Sequence, residues 1–182
     1  MALQAGLSCP SRHAEPASRS TRGEADHYRR RATLVDEIGL SDDEGQRWFV
    51  GASLCRSEWP ELIVAQRYKP AGHGFNPGVA LVSEMAVLFV GAGRRLLAYQ
   101  LESTPRRLWE ETADLRFWHW AVHDDVVLMS AELELAAWDT QGRKLWTIGV
   151  EPPWNYVVRA GRVHLDIMGT VSEFTLAEGP PR

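Results

Sequence analysis

Cysteine is nearly absent. Cys9 and Cys55 are the only two in 182 residues, too few for a disulfide framework and too far apart for a metal-ligand motif. Long apolar runs are missing as well. No stretch approaches the roughly 20 residues of a membrane span, and the first residues lack the basic-then-apolar order of a secretory signal. Nor is there an excess of basic charge: the net charge is −4 and the isoelectric point about 5.9, which argues against nucleic acid or an anionic membrane as the main partner. These absences predict a soluble protein of a reducing compartment, expected in the cytoplasm. What is present, 45% hydrophobic and 24% charged residues, suits one ordinary globular domain.

Charge is unevenly spread. Residues 1–33 hold six arginines against three acids, with Ser, Ala, Pro and Gly between them and almost no large apolar side chain after Leu7. Such a segment buries too little to offset its ordering entropy. Residues 1–33 are therefore expected to be a disordered extension, with Arg29-Arg30-Arg31 a solvated run, and residues 34–182 a single domain.

Self-comparison carries the most information, because a fixed internal period decides a fold before any single motif does. The run Val87-Leu88-Phe89-Val90-Gly91 returns 39 positions later as Val126-Val127-Leu128-Met129-Ser130, and 37 after that as Val163-His164-Leu165-Asp166-Ile167. An aromatic and a polar turn follow each run, at Tyr99, Trp138 and Phe174. Two of the turns lead into Arg107-Leu108-Trp109 and Lys144-Leu145-Trp146, again 37 apart. Each unit thus predicts four short strands, in the first copy over 79–83, 86–91, 95–101 and 107–110. Gly91-Ala92-Gly93, His123-Asp124-Asp125, Gln141-Gly142 and Ala160-Gly161 mark the reversals. Ala131–Ala137 favours helix by local propensity, but its Glu-Leu alternation and its place in the repeat favour strand.

A unit of about 40 residues with four antiparallel strands is a β-propeller blade. The stretch Trp138-Asp139-Thr140-Gln141-Gly142-Arg143-Lys144-Leu145-Trp146 resembles the quinoprotein-type repeat, with its apolar-Asp-x-x-Gly-Lys-x-x-Trp pattern. The resemblance is close in the middle unit. In the first copy Glu102-Ser103-Thr104-Pro105 replaces the turn, and the third lacks the terminal Trp. It implies a propeller fold in which the Trp docks on the neighbouring blade. Quinoprotein enzymes hold their cofactor and calcium in a much larger ring, so the resemblance implies the fold here and no cofactor. The expected fold class is all-β, a small propeller-like array of three to four antiparallel four-stranded sheets. With strands also expected over 34–38, 47–54 and 62–68, the chain supplies either a barely closed ring or a β-sandwich-like open stack.

Eight tryptophans stand out. Trp109, Trp138 and Trp146 recur at matching repeat positions and are expected to pack between sheets. Trp118, Trp120 and Trp154 instead crowd the first strands of adjacent units, which in a propeller line the axis. Strict alternation puts Trp118, Trp120 and Val122 on one face and Phe117, His119 and His123 on the other. With Asn155 and Tyr156 these residues form a candidate ligand or partner surface. The loop over 71–78 adds His73, Phe75 and Asn76 as possible contacts, if it is more than a connection between sheets. His119, His123, Asp124 and Asp125 invite a metal reading, but the two Asp sit at a turn they favour for its own sake, and no metal is expected. No nucleophile elbow or phosphate-cradling loop is present. The first reading is a non-catalytic propeller-like module that binds another protein or itself, touching neither nucleic acid nor membrane. The alternative is a small-ligand binder or hydrolytic enzyme using the aromatic and His residues, with His73 or His123 as acid or base.

Overall fold

The runs Val87–Ala92 and Val126–Ala131 are buried at every residue, although a strand with one wet face would alternate. Both are second strands of their sheets, and both faces of each sheet are covered by further sheets, so every position must be apolar or small. The computed structural model describes residues 13–16, 30–39, 45–53, 59–70 and 75–181. Among them there is no helix, and hence none long and apolar enough to cross a membrane.

Among the described residues fifteen strands form four separate sheets. Sheet 1 contains β1 (His13–Pro16), β2 (Leu34–Ile38), β3 (Gln46–Ser53) and β4 (Leu62–Tyr68) in the order β1-β3-β4-β2. Sheet 2 runs β5 (Gly78–Val82), β6 (Val87–Ala92), β7 (Arg95–Gln100) and β8 (Arg106–Thr112). Sheet 3 repeats that meander with β9 (Phe117–His123), β10 (Val126–Ala131), β11 (Glu134–Asp139) and β12 (Lys144–Gly149). Sheet 4 has only three strands, β13 (Trp154–Arg159), β14 (Arg162–Ile167) and β15 (Thr170–Thr175). The expected repeat is thus a run of blade-like sheets; the stretch over 131–137 is not helix, as its place in the repeat required, but it is not one strand either, because Glu132 and Leu133 form the reversal between β10 and β11.

Two details differ from the simplest repeat. β2 pairs parallel to β4, Leu34 opposite Leu62 through Ile38 opposite Gln66, whereas every other pairing is antiparallel. Within the N-terminal extension, residues 13–16 pair with β3, His13 opposite Ser53. Most of the remaining extension lies outside the described residues, as does Arg29.

The core is divided into three clusters, each bridging neighbouring sheets. Val50, Leu62 and Val64 of sheet 1 meet Leu88, Val90 and Tyr99 of sheet 2. Val87, Phe89 and Ala98 of sheet 2 meet Phe117, Trp120, Met129 and Trp138 of sheet 3. Leu128, Leu135 and Trp146 of sheet 3 meet Trp154, Leu165 and Phe174 of sheet 4. The clusters are thus serial, and among the described residues none joins sheet 4 to sheet 1.

Tryptophans tie one sheet to the next. Trp109 Nε1 donates to the Gly142 carbonyl at 2.6 Å, and Trp146 Nε1 to the Leu176 carbonyl at 2.8 Å. The Trp109 ring stacks on Trp138 and the Trp146 ring meets Phe174 edge-on, at 5.5 and 5.4 Å between centroids. The receiving turn is built by Asp139, whose Oδ1 accepts from the Gln141 and Arg143 amides at 3.0 and 2.8 Å. Between sheets 1 and 2 the tie is polar. Tyr99, at the repeat position of Trp138, donates to Asp36 Oδ2 at 2.7 Å, with Arg107 at 3.5 Å from the same carboxylate. Burial and that carboxylate push the Tyr99 hydroxyl well above its ordinary pKa, so it stays a donor.

Candidate functional site

β9 and β13 are first strands of adjacent sheets, and each lies at an edge of its sheet. The two-residue turn Asp124-Asp125 sets the pairing of β9 with β10, so that His123 faces Val126 and His119 faces Ser130. The register then slips. Ser130 pairs with His119 but Ala131 pairs with Phe117, leaving Trp118 as the extra residue of a β-bulge.

The bulge reverses part of the expected alternation. Phe117 and Trp120 fall on the same face, 5.6 Å apart, and point into the cluster with sheet 2, where Trp120 also meets Phe89 and Trp138. Trp118 turns to the opposite face with Ala121, toward sheet 4. Trp118 and Trp120 therefore do not share a surface. Trp120 is 9% exposed and belongs to the core.

On the sheet 4 side a row of rings forms. Phe75 lies 6.4 Å from Trp118, which stacks on Trp154 at 4.9 Å and 16°. Trp154 leads to Tyr156 at 6.3 Å, and Tyr156 lies 6.4 Å from the His119 ring, nearly parallel at 6°. Arg116 approaches the Phe75 face at 5.3 Å, a cation–π distance. Trp154 is the buried anchor and its indole N–H donates to the Glu132 carbonyl at 3.1 Å. Phe75, Trp118 and Tyr156 are half-buried, and His119 is exposed.

His119 is held from both ring nitrogens. Nδ1 lies 2.7 Å from Ser130 Oγ, and Nε2 lies 3.4 Å from the Tyr156 hydroxyl. The Ser130 hydroxyl donates to the His119 carbonyl at 3.4 Å. Although the residue as a whole is exposed, its ring is partly desolvated between Ser130 and Tyr156, and this, with His123 secondarily, lowers the His119 pKa below its ordinary value. Burial raises the Tyr156 pKa, opposed by its hydrogen bond to Ser130. Both shifts favour the neutral form of the group. Ser130 is 1% exposed, so its hydroxyl positions the imidazole and is closed to a substrate.

A pH dependence follows. The unfolded chain takes up a proton at His119 near its ordinary pKa of 6.5, while the folded protein resists protonation until lower pH. Stability is retained above that value and falls as pH drops through it. Thermal unfolding followed by circular dichroism is expected to show a lower midpoint at pH 5.5 than at pH 7.5, and His119→Gln to shrink that difference; an unchanged difference in the variant would contradict the assignment.

Of the expected surface residues, Trp118, His119, Trp154 and Tyr156 come together. Asn155 does not: it alternates with Trp154 and Tyr156, sits opposite Asp166 and is exposed on the far face of sheet 4. His123 flanks His119, but its Nε2 is buried without a hydrogen-bond partner. His73 lies outside the described residues. Among the described residues no group of His, Cys, Asp or Glu is arranged to hold a metal. Phe75 was expected only as a loop contact and not as part of the row, and Ser130 was not anticipated. Ser130 was within reach, since counting back from the Asp124-Asp125 turn places it opposite His119. Phe75 sits before β5 in a loop whose course no periodicity fixes. A separate open groove of about 390 Å³ lies between sheets 2 and 3, lined among others by Arg94, Asp114, Glu134 and Thr147. Its Glu134 carboxylate is already engaged by the Asp114 amide and the Thr147 hydroxyl, both at 2.8 Å.

No family model and no curated protein matches the chain. Among solved structures, it is similar to Sqt1 of Saccharomyces cerevisiae, with 11% identity over 54% of this chain and 30% of that one, at a TM-score of 0.40. It is similar to BamB from Moraxella catarrhalis at 15% identity, covering 70% of this chain and 44% of that one, at a TM-score of 0.37. A glutaminyl cyclase from Myxococcus xanthus matches at 14% identity over 79% of this chain and 67% of that one, at a TM-score of 0.35. The chain thus spans less than half the length of the first two.

Proposed function

We propose that this chain is a non-catalytic, propeller-like interaction module that binds another protein along the first strands of sheets 3 and 4. The observation that carries the reading is the row Phe75, Trp118, Tyr156 and His119: half-buried or exposed rings, anchored on buried Trp154 and fixed by the Ser130 hydrogen bond. Rigid aromatic side chains give large contact area at small entropic cost, which is why they dominate binding hot spots. The resemblance of 138–146 to quinoprotein-type repeats supports the same reading, since many propellers of that kind are scaffolds. Hydrolysis is disfavoured because Ser130 is closed to solvent and His119 uses both nitrogens within the protein.

The test is affinity recovery from native-host extract with the wild type and with Trp118→Ser. A stoichiometric protein recovered with the wild type and lost with a variant of unchanged circular dichroism is the expected result. Recovery of none, or equal recovery by both, overturns the reading. A tryptophan fluorescence change with a metabolite, abolished by Trp118→Ser, would favour small-ligand binding instead.

A further inference from the structure

In sheets 2 and 3 the place beyond the third strand is filled by β8 and β12, which carry Arg107-Leu108-Trp109 and Lys144-Leu145-Trp146. Among the described residues nothing pairs beyond β15 in sheet 4. The positions matching Arg143 and Lys144 are Pro180 and Pro181, which have no N–H to give a ladder. After β15 the chain makes a single bridge, the Gly179 amide donating to the Thr175 carbonyl at 3.0 Å.

The groups left over on this edge can be named. Met168-Gly169 is a two-residue hairpin turn, so Ile167 and Thr170 form its closing hydrogen-bonded pair. Alternation then turns the main-chain groups of Thr170, Ser172 and Phe174 toward β14, and those of Val171, Glu173 and Thr175 outward. Thr175 is the residue bridged by Gly179, in keeping with that parity. The outward N–H and C=O groups of Val171 and Glu173 have no main-chain partner among the described residues. Thr170 through Glu173 are all exposed, and Val171 and Met168 are each 65% exposed.

We propose that the free edge of β15 pairs with β15 of a second copy of this chain, antiparallel and centred on Val171. The register is self-complementary. Val171 faces Val171 of the second copy on the outer surface, Thr170 faces Ser172 on the other, and Glu173 falls opposite Gly169, where the carbonyl is free to accept. About four main-chain hydrogen bonds result. Charge does not oppose it: the one ionised side chain on the strand, Glu173, is already paired with Arg162, and the two copies of Glu173 lie at opposite ends of the ladder. The edge also lacks an internal Pro, Lys or bulge, the usual protections against such pairing. The paired sheets become one of six strands, and the exposed valines are covered. This surface is separate from the aromatic row on β9 and β13, so either proposal can fail alone.

Light scattering after size exclusion tests it, on the full chain over a concentration series reaching the submillimolar range. The wild type is expected to approach twice the 20.5 kDa monomer mass. Val171→Pro removes an N–H that serves no bond within the sheet, and Val171→Lys introduces a facing pair of like charges; both are expected to stay monomeric. Ser172→Ala, whose main chain faces β14, is expected to dimerise as the wild type does. A wild type that remains monomeric throughout, mass that grows past the dimer, or both Val171 variants dimerising normally would each overturn the inference.

Discussion

Trp146→Ala is expected to destabilise the protein by about 3–5 kcal/mol, the largest effect of any single truncation between sheets 3 and 4. The ring is 8% exposed, meets Phe174 edge-on and donates to the Leu176 carbonyl. Removing it leaves a cavity at the sheet boundary and an acceptor without its donor. The loss is expected to be local first: sheet 4 should lose amide protection at denaturant concentrations where sheets 2 and 3 still hold theirs. Urea unfolding gives the total, and hydrogen exchange gives the distribution. Trp146→Phe keeps most of the apolar contact and forfeits the indole hydrogen bond, so about 1–2 kcal/mol is expected. A uniform loss of protection across all sheets in Trp146→Ala would show that the boundary is not where the cooperativity breaks.

Gly179→Ala acts on the same contact from the other side. Gly179 has φ of +79°, and a Cβ there would lie 2.5 Å from Trp146 Cγ. Two penalties add: about 1–2 kcal/mol for a side chain in the left-handed region and about 1–3 kcal/mol for forcing the indole aside. They separate in a double-mutant cycle. In a Trp146→Ala background the steric penalty vanishes, so Gly179→Ala should cost only the conformational part. Equal costs in both backgrounds would place the whole effect in the backbone. Gly142, whose carbonyl accepts from Trp109 of the preceding sheet, also has positive φ, but a Cβ there would lie 3.4 Å from that indole nitrogen, an ordinary contact, so the left-handed glycine beside the docked indole recurs in the repeat while the clash does not.

That relation was legible in the sequence because it is local and periodic. The polar turn followed by basic-Leu-Trp identified both the strand and its docking, and β6, β7, β10 and β11 fall within a residue or two of the spans the period required. What the period could not supply is the bulge at Trp118. A strand with no defect alternates, and only the demands of two different clusters, Phe117 and Trp120 toward sheet 2 and Trp118 toward Trp154, decide where an extra residue is tolerated. Hence Trp120 was placed with Trp118 when it belongs to the core. The parallel pairing of β2 with β4 was hidden for another reason. Apolar pattern gives the existence of Leu34–Ile38 and Leu62–Tyr68 but is indifferent to their relative direction. Asn155 was grouped with its neighbours by position alone; its alternation with Trp154 and Tyr156 already put it on the other face.

The division of the core into three serial clusters has a consequence for how the molecule comes apart. Sheets 2, 3 and 4 are each made from one contiguous stretch of chain and are buried chiefly against their immediate neighbours, so stability is approximately a sum of sheet terms and nearest-neighbour interface terms. Sheet 4, with three strands and one interface among the described residues, is expected to open first, and sheets 2 and 3, each held on both faces, last. The molecule behaves as a short one-dimensional chain of coupled units that unzips from its end, and a perturbation at one boundary is felt at the next only through the sheet between them.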